Sequence, residues 1–172
     1  MNVAALLLEL YGRIPRSVHK ALDGMTREEL MAAPAPGVNP AAWIVWHLTR
    51  VQDHHVSGVA GTEQLWVSGD WAAHFGLEPD PENTGNGHTD DEVRSVQPDH
   101  VDVLVGYLDA VGARTRSVLQ AMSEADLDRV VDHNWDPPVT AGVRLVSVAN
   151  DNLQHAGQVA YIRGLLRSSA SA

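Results

Sequence analysis

The fold is decided by WIVWHLTRVQDHH, residues 43–55, and DNLQHAGQVAYIRGLL, residues 151–166. In the second stretch, apolar residues such as Val159 and Ile162 recur at intervals of three or four, which places them on one face of an α-helix. In the first stretch, Ile44, His47 and Val51 follow one another at the same spacing. Both stretches are therefore predicted to be amphipathic helices that turn an apolar face towards a core.

Outward from these stretches, helical periodicity predicts four long helices, over about residues 2–24, 39–61, 98–122 and 140–167. The glycine-rich, acidic segment 61–97 is too long for a tight turn between helices. A connection of this length lets the third helix run parallel to the second. No run of alternating residues predicts a strand. The sequence thus predicts an all-α fold, a four-helix bundle with a long crossover between helices two and three.

Local signals refine this prediction. The sequence from Thr26 to Glu29 is typical of a capping box, the sequence from Thr89 to Glu92 is expected to start another short helix, and Ser123 is expected to cap a brief turn through Leu127. Pro15 predicts a kink or a break within the first helix. The last residues, SSASA, are expected to fray.

Composition narrows the class of protein. The 172 residues suit one domain over 1–172, and the absence of cysteine excludes disulfides, thiolate metal sites and a cysteine nucleophile. A formal net charge of −10 argues against nucleic acid and anionic membranes as partners. No stretch approaches the length of a membrane span, and the apolar run near the start lacks a basic leader and a clear cleavage site. We therefore expect a cytoplasmic protein.

Three polar side chains lie on the predicted apolar faces. Asp151 and His155 are four residues apart, so their side chains lie on adjacent turns about 6 Å from each other. His47 also lies among apolar neighbours in the second long helix. Burying such groups alone is costly, and a divalent cation would satisfy all three. Two histidines and one carboxylate suit zinc, nickel or iron(II) with open positions for water or substrate.

Other interpretations stay open at this point. An inward histidine such as His47 is more often a hydrogen-bonded core residue than a ligand, and Asp151 with His155 could form a simple ion pair. His54 and His55 are expected to line a pocket or lie at the surface, with His54 as an alternative ligand. Five other histidines lack ligand spacing and are expected to be solvated: His19, His74, His88, His100 and His133.

Both quoted stretches resemble the DinB-like metalloprotein superfamily. The sequences WHLTRVQD and QHAGQVAYIRG resemble those of members of its actinobacterial branch. This branch is related to mycothiol-dependent transferases and to the metal domain of mycothiol-dependent maleylpyruvate isomerase. The resemblance covers essentially the whole chain and implies metal ligands at His47, Asp151 and His155. The family usually has histidine or glutamate in place of Asp151, so direct ligation by the shorter aspartate requires a closer backbone or a bridging water.

The resemblance implies a metal-dependent S-transferase or isomerase that activates a low-molecular-weight thiol such as mycothiol, with zinc or nickel as the expected metal. Its partners would be a small-molecule thiol and an electrophile. Two other hypotheses remain. One is a metal-dependent hydrolase that uses metal-bound water. The other is a non-catalytic bundle, alone or as a homodimer, that binds a metal or a small ligand.

Overall fold

Four long helices dominate the computed structural model, which describes residues 2–169. They are α1 Val3–Leu22, α3 Ala41–Ala60, α7 Val101–Ala121 and α9 Ala141–Ser169. Between them lie α2 Arg27–Met31, α4 Leu65–Ser68, α5 Trp71–His74, α6 Asp90–Ser95, α8 Glu124–Leu127, and the strands β1 Val130–Asp132 and β2 Val139–Thr140. The predicted helical bundle is confirmed. None of the helices in the described range has the length and apolar character that crossing a bilayer demands.

The helix ends follow their capping residues. Thr26 forms the predicted capping box at the start of α2, and Thr89 and Ser123 also form capping boxes at the start of the short helices α6 and α8. Pro15 was predicted to kink or break the first helix, and the break is wrong, since α1 continues through this residue. Burial of the neighbouring Ile14, which has no exposed surface, helps to offset the cost of a proline inside a helix. Of the tail SSASA, 168–172, that was predicted to fray, Ser168 and Ser169 instead continue α9, and residues 170–172 lie outside the described residues.

The long helices pack in pairs around a shared core. α9 packs against α1 and α3, and α7 packs against the same two helices on the other side. The crossover adds Trp66 and Phe75 to this core, and both are fully buried. Their rings contact Tyr107 of α7, with centroid separations of 5.5 and 6.0 Å. Aromatic packing therefore fastens the crossover onto the bundle.

A buried arginine fixes the second half of the crossover. Arg50 of α3 has no exposed surface, and its guanidinium lies over the ring of Trp66 at 4.9 Å. It donates hydrogen bonds of 3.0 Å each to the backbone oxygens of Pro81 and Asn83, and one of 2.9 Å to the side chain of Gln64. The irregular segment 81–83 is thus held against α3 by charge-assisted hydrogen bonds.

The charge of Arg50 is balanced one turn later on the same helix. Asp53, also buried, lies 3.5 Å from the guanidinium and accepts a hydrogen bond of 2.9 Å from the hydroxyl of Tyr107. Its two oxygens also accept from the backbone N–H groups of Leu65 and Trp66, at 3.0 and 2.8 Å. The pair therefore caps the start of α4 as well as anchoring the crossover.

A short β-hairpin corrects the expectation of a fold without strands. Val130–Asp132 pairs antiparallel with Val139–Thr140. Strands of three and two residues are too short to show an alternating pattern, which explains why the sequence did not predict them. Asp132 accepts a hydrogen bond of 2.6 Å from Arg144, and this ion pair attaches the hairpin to the first turns of α9.

Candidate metal centre

α3 and α9 face each other and bring together the three predicted ligands. One nitrogen each from His47 and His155 and one carboxylate oxygen of Asp151 all lie within 4.8 Å of one another. The two imidazole rings meet nearly edge to face, with centroids 4.9 Å apart. All three residues are partly buried. The structure therefore forms a cluster, from two helices, that could hold a metal ion.

The donor set fits a divalent cation. Donor atoms about 2.1 Å from a tetrahedral metal lie about 3.4 Å from one another, so the three ligand atoms would move together by at most about 1.4 Å on binding. The side chain of Asp151 is 41% exposed, and its Oδ1 lies 3.5 Å from His155 Nε2. Its Oδ2 is buried and has no hydrogen-bond partner within residues 2–169. A buried carboxylate oxygen without a partner is costly, and a bound cation would remove that cost.

Both histidines are oriented by a hydrogen bond on the far side of the ring. The Nδ1 of His47 donates to the backbone oxygen of Thr84 at 2.5 Å, and the Nδ1 of His155 lies 2.8 Å from Oε1 of Gln158. With the proton on Nδ1, the lone pair of each Nε2 is left for a metal. Sequence reasoning missed both partners. The i+3 spacing of Gln158 could have indicated it, whereas nothing in the sequence pointed to Thr84.

Burial keeps His47 in the form that binds metals. It lowers the pKa of His47, an effect that the hydrogen bond to Thr84 opposes and the neighbouring His155 reinforces. A neutral imidazole is the metal-binding form of histidine. The ligand therefore need not lose a proton when a cation binds near neutral pH.

A cleft of about 490 Å³ adjoins His47 and Asp151. Its other polar lining residues are His54, His55, Glu82, Thr84, Asn86 and Ser147. In the described part of the chain His54 is not a member of the ligand cluster. It lines the cleft instead, and its Nδ1 lies 3.2 Å from the backbone oxygen of Pro81. The cleft gives small molecules access to the candidate metal centre.

One of the histidines expected to be solvated is not. His88 is partly buried, accepts a hydrogen bond of 3.2 Å from Trp43 Nε1, and stacks on the ring of Trp46 at 5.6 Å. Its burial depends on how the crossover folds onto α3, and the spacing of residues near His88 in the sequence does not indicate this. The other four are exposed, as expected: His19, His74, His100 and His133.

The stability of the protein should depend on the protonation of His55. Burial, then the charge of Arg144 and then His54, lower the pKa of His55 to about 4, against the opposing effect of Asp132. The unfolded chain binds this proton near pH 6.5, so stability is lost as pH falls from about 6.5 to 4. We expect a loss of about 3 kcal/mol in the free energy of unfolding along this pH range, measured by urea unfolding.

The matched control for His55 is an exposed histidine. His55→Gln should flatten this part of the pH profile, whereas His133→Gln should leave it unchanged, because His133 is exposed. Identical profiles for the native protein and His55→Gln would show that His55 is not the group responsible.

Fold and site together define a helical bundle with a candidate divalent-metal centre. The sequence model of the DinB superfamily matches residues 10–159, and the chain belongs to this superfamily. A solved structure from Enterococcus faecalis, described as the conserved protein of locus, is 35% identical with a TM-score of 0.90, and the match covers 98% of this chain and 99% of that one. No curated protein matches the chain.

Proposed function

We propose that this protein is a divalent-metal-dependent S-transferase or isomerase that activates a small thiol of the mycothiol type in the cytoplasm. His47, Asp151 and His155 would be its metal ligands, with zinc or nickel as the metal. The observation that carries the proposal is the convergence of these three donors beside an open cleft, with Asp151 Oδ2 buried and unpartnered among the described residues.

The chain leaves room for an external thiol. It has no cysteine, so a sulfur nucleophile must come from another molecule. Three protein donors leave at least one coordination position for it, on the side of His47 and Asp151 that opens to the cleft. A divalent cation held there would supply the charge that favours a thiolate over the thiol at neutral pH.

The protein's own residues would bind and orient the two substrates. Thr84 and Gln158 keep the two imidazoles turned towards the centre. His54 and His55 line the cleft, and His55 is neutral at pH 7 because burial lowers its pKa to about 4. It can therefore donate or accept a hydrogen bond without adding charge, which suits a polar electrophile next to the thiol.

A cobalt(II) titration tests this proposal. With cobalt(II) bound to the protein, mycothiol added at neutral pH should produce a sulfur-to-metal charge-transfer band. S-methylated mycothiol, which has no ionisable thiol, should give none. His155→Ala should lose the band, and the exposed control His133→Ala should keep it. This result is expected because the sulfur would occupy the open position of the centre.

The other hypotheses predict different outcomes. If cobalt stays bound and no band appears, the thiol is not a metal ligand and the transferase proposal fails. Turnover of ester or amide substrates without added thiol would then identify a hydrolase. Stoichiometric metal with no turnover of either kind of substrate would identify a non-catalytic metal-binding bundle.

A further inference from the structure

An indole ring lies flat against one of the proposed metal ligands. Trp43 precedes His47 by one helical turn on α3, and their rings stack with centroids 4.8 Å apart and planes inclined by 10°. Trp43 is 6% exposed, so this contact belongs to the buried side of the ligand. The indole limits rotation of the imidazole out of its plane, while the hydrogen bond to Thr84 fixes rotation within that plane.

His88 in turn holds the indole. The Nε1 of Trp43 can only donate, so the Nδ1 of His88, 3.2 Å away, must accept. The proton of His88 then lies on Nε2, which donates to Oδ1 of Asn83 at 2.8 Å. The stacking of His88 on Trp46 fixes the ring between these two partners. His88 is thereby tied both to α3 and to the start of its own loop.

The same loop packs directly against the ligand. Gly85 has φ +91°, and a Cβ there would lie 2.8 Å from Trp46, 2.9 Å from Trp43 and 3.1 Å from Nδ1 of His47. Only glycine fits such a close approach. The backbone N–H of His88 donates to the oxygen of Gly85 at 3.2 Å and closes the turn. Residues 83–88 therefore contact the edge of the His47 imidazole directly. They act on the face of that ring indirectly, because His88 holds the indole of Trp43 that stacks on it.

From these contacts we infer that His88 is a positioning residue of the metal centre, which acts by holding Trp43 against His47. The inference rests on the proposed binding of a metal by His47. Partners that orient a metal ligand without touching the metal typically contribute about 10- to 100-fold to metal affinity. The hydrogen bond between His88 and Trp43 joins segments 45 residues apart, so His88 also couples the crossover to the centre.

The test compares two substitutions at one position. His88→Leu keeps side-chain bulk but removes the acceptor for Trp43, and it should raise the dissociation constant for zinc about tenfold, measured by chelator competition. It should also shift the visible absorption bands of bound cobalt(II), because the geometry at His47 relaxes. His88→Gln carries an acceptor and a donor at its end and should stay within about twofold of the native affinity.

A structural control separates positioning from general loosening. Phe75→Leu weakens packing elsewhere in the crossover, where Phe75 contacts Trp66. It should lower the melting temperature yet leave the zinc affinity and the cobalt spectrum unchanged. Equal zinc affinity in the native protein and His88→Leu would overturn the inference about His88 and leave the proposed function standing. A loss of zinc affinity in Phe75→Leu as large as that in His88→Leu would do the same. Failure of the native protein to bind zinc or cobalt would overturn the proposed function together with it.

Discussion

Removal of either imidazole should abolish stoichiometric metal binding. We expect His47→Ala and His155→Ala each to raise the dissociation constant for zinc at least about a thousandfold, roughly 4 kcal/mol, because a site of three protein donors loses one anchor. Asp151→Ala distinguishes two modes of ligation. Direct ligation predicts a loss of similar size, whereas ligation through a water predicts a smaller one. Elemental analysis of protein purified without chelator, followed by chelator competition, measures these effects.

The control for this series is His54→Ala. His54 lines the cleft beside the cluster but lies outside it in the described residues, so the variant should keep its metal. Metal loss in His54→Ala with retention in His47→Ala would show that the ligand set is different. Unchanged metal content in all the ligand variants would place the metal elsewhere in the protein.

The second large effect concerns stability. Asp53→Ala leaves the guanidinium of Arg50 fully buried without its carboxylate partner, and breaking a buried pair in this way costs about 3–5 kcal/mol. It also removes the acceptor for the N–H groups of Leu65 and Trp66. We expect the melting temperature to fall by about 10 °C or more, measured by differential scanning calorimetry.

An exposed ion pair with the same spacing provides the comparison. Asp91 and Arg94 also lie three residues apart on one helix, but their side chains are 92% and 66% exposed. Asp91→Ala should therefore change stability by less than about 1 kcal/mol. Similar losses in Asp53→Ala and Asp91→Ala would show that the buried pair is not what anchors the crossover.

The parts of this protein that were predicted correctly share a physical basis. The long helices bury one face each, so a spacing of three and four residues shows in the sequence. Asp151 and His155 lie together because one turn of one helix separates them. Their proximity to His47 required the further expectation that α3 and α9 face each other, and the structure brings them together in this way.

The parts that were missed depend on contacts between distant segments. Thr84 reaches His47 across 37 residues, and Arg50 reaches Asn83 across 33. Both contacts use backbone oxygens, which every residue type supplies, so no side-chain pattern indicates them. The break predicted at Pro15 was wrong because packing of the first helix against the core outweighs the low helix propensity of proline.

The contact between the crossover and His47 determines which residues this chain can carry at two adjacent positions of the loop. The acceptor at position 84 is a main-chain oxygen, so the identity of that residue can drift without altering the chemistry offered to the imidazole. The next position has no such freedom, because φ of +91° and the nearby indoles exclude any side chain. The two adjacent positions therefore differ in what they require: the hydrogen bond to His47 needs only a main-chain oxygen at position 84, whereas the close approach at position 85 needs glycine.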